Sequence, residues 1–126
     1  MLHGWRCLLV VCLSLLSGCG SKPELAVVQG QVRFRGQPLR GGVVVFVPDR
    51  VRGTSGDLAI AELSADGSFE LQTKGQPGCR PGWHRISIAS LSSEIELPVH
   101  YRDPTLSGQE MEVKAGVINR CEIRLD

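Results

Sequence analysis

The chain has 126 residues, with 14 Lys and Arg against 13 Asp and Glu for a formal net charge of +1, and 42% of it is hydrophobic. A near-neutral balance without a basic run excludes a nucleic-acid binder that works through a clustered positive face. Setting aside residues 1–18, for reasons that follow, leaves 108 of the 126, enough for one modest core and not for two.

Met1 to Arg6 carry one positive charge, Cys7 to Leu16 form an apolar block, and the block stops at Ser17-Gly18-Cys19 before turning polar at Lys22-Pro23. That is the layout of a secretory signal peptide. A spanning helix needs about 20 apolar residues, so this block is too short to cross a bilayer. Leu16-Ser17-Gly18-Cys19 also resembles the bacterial lipobox, in which a small residue precedes a cysteine that becomes diacylated on sulfur. The resemblance implies lipid on Cys19, where each buried methylene contributes about 0.8 kcal/mol to anchoring. An ordinary cleaved signal with an incidental Cys19 is the alternative. The expected division is a lipoprotein signal peptide at 1–18, the lipidated cysteine and a short tether at 19–25, and a folded domain at 26–126. The expected location is exported and lipid-anchored to a cell-envelope membrane, on its periplasmic or cell-surface face.

From Val28 the dominant period is two. In "VVQGQVRFRG" Val28, Gly30, Val32 and Phe34 alternate with Gln29, Gln31, Arg33 and Arg35, which predicts a half-buried strand. "RGQPL" reads as a turn, and "GGVVVFVPD" as a β-branched central strand closed by Pro48. A polar loop covers residues 49–57. "LAIAEL" and "SFELQT" flank Asp66-Gly67, a hairpin signal because glycine takes positive φ at little cost. A second loop, "KGQPGCRPG", leads into "WHRISIAS", with Ile86 and Ile88 toward the core. "EIELPVHY" alternates Ile95, Leu97 and Val99 with polar neighbours, and "EMEVKAGVINRCEIRL" reads as a closing hairpin turning at Ala115-Gly116. No segment shows a capped helical period. The reading is an all-β fold, a single sandwich of about seven or eight strands.

Taken together, "VQGQVRFRGQPLRGGVVVFVPD", "ELSADGSFEL", "GCRPGWHRISI", "LPVHYRDPTLSG" and "EVKAGVINRCEIRL" resemble the carboxypeptidase regulatory-like, or transthyretin-like, domain of small bacterial lipoproteins. The likeness covers essentially all of residues 26–126. It implies a Greek-key β-sandwich serving as a non-catalytic structural or binding module, with Gly30 allowing close packing and Asp66-Gly67 forming a turn. Leu63-Ser64 departs from the family's usual threonine and aspartate, and Cys79 and Cys121 are not part of its pattern. No catalytic residue is carried over. A transthyretin relative that hydrolyses a purine breakdown product ends in Tyr-Arg-Gly-Ser, whereas this chain ends Glu122-Ile123-Arg124-Leu125-Asp126.

The residues themselves give no Gly-x-Ser-x-Gly, His-Glu-x-x-His or Cys-x-x-Cys. No catalytic residue, metal or cofactor is therefore expected, and the acidic residues Asp49, Asp57 and Asp66 read as turn formers. His84 shares parity with Ile86 and reads as a packed histidine. Cys79 and Cys121 are a candidate disulfide in an exported protein, with a buried thiol at Cys121 as the alternative. Arg50, Arg52, Arg80, Trp83, His100, Tyr101 and Arg102 are the candidates for partner recognition, because arginine and aromatic side chains join planar area to directed hydrogen bonds. The plain alternative is that Trp83 and Tyr101 plug the ends of the core while the arginines are solvated. The expected partners are the membrane, through the lipid on Cys19, and an envelope protein, peptide or glycan, with no nucleic acid. An assembly subunit pairing through an edge strand is the second reading, and a hydrolase with an unfamiliar site the third.

Overall fold

The computed structural model of the chain describes residues 24–126. The signal segment 1–18, Cys19 and the first tether residues lie outside the described residues. Within them the chain is all-β, and its strands form two sheets that face each other as a β-sandwich.

The first sheet is built on β1 (Val28–Phe34). On one side β1 pairs in parallel with β10 (Asn119–Leu125), and on the other it pairs antiparallel with the short strands β2 (Gln37–Pro38) and β5 (Ser68–Glu70). The second sheet runs in the order β7 (Gln76–Pro77), β6 (Gln72–Thr73), β4 (Ala59–Glu62), β3 (Gly42–Pro48), β8 (Gly82–Ser90) and β9 (Glu110–Val113). There are ten strands in place of the expected seven or eight, the excess coming from two-residue pieces that short antiparallel turns create.

The period of two decides what is inside. Val28 and Val32 of β1, Val44 and Phe46 of β3, Ile86 and Ile88 of β8, and Ile123 and Leu125 of β10 are all buried, while their alternating neighbours are half-buried or exposed. The β-branched run at Val43–Val47 is central, as its composition predicts, since β3 lies between β4 and β8. Leu39, Leu71, Phe69 and Tyr101 complete the core from outside the long strands.

Four sequence expectations need correction. The run around Ile95, Leu97 and Val99 is not a strand. Residues 91–98 are irregular and Val99–Arg102 is a 3-10 helix, because Pro98 removes a ladder donor in mid-run; Leu97 is buried in the core, Ile95 packs at its edge and Val99 is exposed. Asp66-Gly67 does make a tight turn, with the Ser64 carbonyl accepting the Gly67 N–H at 2.8 Å and Asp66 Oδ1 accepting the Ser68 N–H at 3.0 Å. Its flanks nevertheless part company: β4 stays in one sheet and β5 crosses to the other. The Ala115-Gly116 turn behaves likewise, sending β9 to β8 and β10 to β1. Asn119 ties that crossing down, its Oδ1 accepting the Lys114 N–H at 2.9 Å and its Nδ2 donating to the Val27 carbonyl at 3.2 Å. Finally, the stretch from Lys74 to Gly82 is not all loop: β6 and β7 form a small hairpin turned by Lys74 and Gly75, both at positive φ.

Gly30 sets the closest approach in the first sheet. A Cβ built there would fall 2.5 Å from the Cys121 carbonyl oxygen and 2.7 Å from the Phe69 ring, so any side chain forces β10 or Phe69 outward. Overpacking of this kind costs up to about 3 kcal/mol or more. Gly36 is the contrast, a positive-φ turn glycine with nothing within 4 Å, where alanine meets only the left-handed backbone cost of about 1 kcal/mol. Gly30→Val is therefore expected to lower the free energy of unfolding well beyond Gly36→Ala in denaturant titrations. Equal losses for the two would show that the approach of β10 to β1 is not the constraint.

Candidate functional site

Arg50 and Arg52 lie on a 3-10 helix, Arg50–Arg52, that starts directly after β3. Asp49 is its cap and the anchor of everything around it. Oδ1 accepts the Val51 N–H at 3.1 Å, and the backbone carbonyl accepts from Arg52 and Thr54 at 3.2 and 3.0 Å. The Asp49 N–H donates to the Trp83 carbonyl at 2.9 Å. Its side chain is only 3% exposed, and a carboxylate buried that far needs charged partners. Oδ2 has two, Arg52 Nε at 3.4 Å and Arg85 Nε at 3.3 Å.

Arg52 continues the chain of contacts. Its Nη2 meets Glu110 Oε2 at 2.7 Å, and its Cζ stands 4.3 Å from the centre of the Trp83 ring. A guanidinium over tryptophan is attracted by the ring's negative face, typically by about 0.5–2 kcal/mol. Arg52 is thus a clamp that holds the 49–57 loop against β8 and β9.

Beside the clamp lies an open cleft of about 750 Å³, where Arg52, Thr54, Arg80, Trp83, Lys114 and Glu24 come together. Gly82 reaches φ +124 here and leaves no room for a Cβ against the Thr54 hydroxyl, which lets the loop close over the start of β8. Arg80 packs on the backbone of Gly56: a Cβ there would come within 2.5 Å of its Nε and Cζ. Among the described residues Arg80 Nε is buried without a hydrogen-bond partner. With Arg52 already paired, Arg80 and Lys114 stand here beside Glu24 and Glu112, with an indole at one wall, and the N–H donors of the two unpaired cations are a place for the oxygens of an anion.

The candidate recognition residues do not all belong to this cleft. Arg52, Arg80 and Trp83 line it, and Arg50 is exposed on the adjoining helix. His100, Tyr101 and Arg102 sit elsewhere. The hydroxyl of Tyr101 accepts the Asp126 N–H at 3.1 Å, next to the Phe34–Leu125 end of the β1–β10 ladder, whereas Glu24 and the Lys114 turn lie at its Val28–Asn119 end. Six residue steps, about 20 Å, separate those ends. Tyr101 is buried, so the ring does plug the core, and His100 and Arg102 are exposed beside it. Lys114, Glu24 and Thr54 escaped the sequence reading because only the β8–β9 pairing and the packing of Gly82 on Thr54 bring them to Trp83.

The two described cysteines are free thiols, which corrects the candidate disulfide. Cys79 pairs with Ala26 and Cys121 with Gly30. Four residues of extended chain, about 13 Å, lie between those partners, beyond the Cα separation a disulfide tolerates. Cys79 has a different neighbour: its Sγ is 3.4 Å from His84 Nε2, and both residues are fully buried. His84 Nδ1 lies 3.0 Å from the Gly82 carbonyl, which can only accept, so Nδ1 carries the proton and Nε2 accepts from the thiol. Burial holds His84 below its ordinary value, against the Gly82 hydrogen bond, and pushes the Cys79 thiol up to about 12 and the Cys121 thiol up to about 11. Among the described residues no three His, Cys, Asp or Glu side chains converge on one point.

These shifts fix the pH profile of stability. His84 stays neutral in the fold but takes a proton once unfolded below about pH 6.5, so stability is full above that value and falls as acid is added, at up to about 1.4 kcal/mol per pH unit. The thiols work the other way, their contribution present below about pH 8.5 and lost as pH rises toward 11 and 12. His84→Gln should flatten the limb between about pH 6.5 and pH 5 in a series of urea titrations, whatever its effect at neutral pH. A slope unchanged in that variant would show that His84 is not the group responsible.

No family model, curated protein or solved structure matches the chain.

Proposed function

We propose that the chain is a non-catalytic cell-envelope module, held on a membrane by an acylated Cys19, whose sandwich is of the transthyretin-like kind and whose cleft, through Arg80 and Lys114, takes an anionic group of a partner. The leader ending in Leu16-Ser17-Gly18-Cys19 supports the anchor, and the order of motifs from Val28 to Leu125 supports the family likeness. The observation that carries the binding role is Arg80. Among the described residues neither Arg80 nor Lys114 has a carboxylate partner, yet Arg80 is partly buried in the cleft wall beside the clamped Arg52. A guanidinium whose Nε is fixed against Gly56 and which has no carboxylate partner holds its remaining N–H donors for a carboxylate or phosphate from outside. The buried Cys79–His84 contact supports a module without chemistry of its own. A nucleophilic cysteine is an accessible thiolate, and this one is sealed in the core with its proton held.

The test has two arms. Protein isolated from membranes should carry acyl mass on Cys19 and partition into detergent, and Cys19→Ala should abolish both. Titration with inorganic pyrophosphate should change Trp83 fluorescence, with Arg80→Ala and Lys114→Ala weakening the response and Arg102→Ala, at the other end, leaving it intact. A wild-type protein without acyl mass overturns the anchor, and indifference to pyrophosphate overturns the cleft.

A second reading, assembly through an edge strand, is favoured by the outer side of β10. The Asn119 N–H and the Leu125 carbonyl both bond toward β1. The alternating backbone groups of Arg120, Glu122 and Arg124 therefore face away, and among the described residues no strand covers them. Antiparallel pairing of two copies with Arg120 opposite the partner's Glu122 joins unlike charges, whereas centring the pair on Glu122 opposes like ones. Arg120→Glu should then disperse a dimer and Arg120→Glu with Glu122→Arg should restore it. A wild-type chain that is monomeric in sedimentation at about 1 mM rules the reading out.

A further inference from the structure

We propose that the cleft end of the sandwich docks on the anionic headgroup surface of the membrane that holds the chain, a proposal that rests on the anchor reading above. Where the tether leaves the domain is the first argument. Glu24 lines both the cleft and a neighbouring depression beside Val117 and Ile118, so the described residues begin at this end. Cys19 is five residues from Glu24, at most about 18 Å of extended chain. An acyl group on Cys19 keeps this end within that reach of the bilayer.

The surface there has the composition of a membrane-facing patch. Val51 is 91% exposed, and Val117 and Ile118 are 54% and 55% exposed. Val51 on its 3-10 helix and Val117 and Ile118 on their turn keep much of their apolar surface outside the core, and a headgroup layer is a place for it. Val51 is flanked in sequence by Arg50 and Arg52, and the turn of Val117 and Ile118 is flanked by Lys114 and Arg120. Arg52 is neutralised by Asp49 and Glu110. Arg50, Arg80, Lys114 and Arg120 are then set against Glu24 and Glu112, which leaves a positive excess facing anionic lipid. Trp83 stands half-buried at the cleft wall, the side chain most characteristic of a membrane–water interface. In this arrangement the unpaired Arg80 meets a lipid phosphate, and the anionic partner of the cleft is the bilayer itself.

The sequence supplies the probe. Its two tryptophans are Trp5 and Trp83, so the full chain with Trp5→Phe reports on Trp83 alone, whether or not the leader has been removed. That protein is reconstituted into vesicles of phosphatidylcholine or of phosphatidylglycerol, each doped with a headgroup spin-labelled lipid that quenches fluorescence on contact. Flotation reports anchoring and quenching reports docking. Trp83 should be quenched in the phosphatidylglycerol vesicles and recover in high salt. Val51→Asp, and Arg50→Glu with Lys114→Glu, should lose most of the quenching while still floating, and Arg102→Glu should retain it. Protein that floats with Trp83 no more quenched on phosphatidylglycerol than on phosphatidylcholine overturns the docking surface. Protein that does not float overturns the anchor instead.

Discussion

The parallel pairing of β1 with β10 is the constraint on which the rest of the molecule depends. Two strands that run the same way cannot be joined by a tight turn, so everything from Arg35 to Ile118 has to leave one end of the ladder and return to the other. The second sheet is built in that excursion and laid across the first. The close contact at Gly30 is what allows the ladder to form, because β10 and Phe69 both press into the space a side chain would fill. The same pairing puts the start of β1 beside the Lys114–Asn119 turn, and Asn119 locks the two together through Val27.

That placement is what makes one end of the sandwich different from the other. At the Asn119 end meet Glu24, where the described residues begin, the cleft, the loop after β3 and two segments with exposed apolar tips. At the Leu125 end Tyr101 closes the core and its hydroxyl oxygen accepts the Asp126 N–H. Asp49 serves the first end as the β1–β10 ladder serves the whole. One buried carboxylate caps the 3-10 helix and holds Arg52 and Arg85, and Arg52 in turn covers Trp83 and reaches Glu110. A loop fixed at that many points is a rigid platform, which is what recognition without induced ordering requires.

The Cys79–His84 pair shows how burial reshapes chemistry. In sequence, Cys79 reads as half of a candidate disulfide and His84 as a packed histidine, with nothing to join the two. In the fold both are shut away from water, so the neutral forms win and a thiol–imidazole hydrogen bond stands where the disulfide was expected. The histidine that parity with Ile86 places in the core is there, and its partner is the cysteine that parity could not assign.

Local pattern was enough to determine the strand class, the buried faces of β1 and β8, the central place of Val43–Val47 and the turns at Gly36, Asp66-Gly67 and Gly116, because side-chain alternation and glycine conformation act within a few residues. It was enough, too, to mark Arg52, Arg80 and Trp83 as side chains of interest, and to place Tyr101 as a candidate plug. Which sheet each strand joined was not legible. β4 and β5, and β9 and β10, look like hairpins from their turns, and the choice between pairing locally and crossing over rests on long-range burial against β1. The sites followed the same rule. His100 and Arg102 fall about 20 Å from the cleft, while Glu24, Thr54 and Lys114, far apart in sequence, meet at Trp83, because only the packing of two sheets decides which loops share an end.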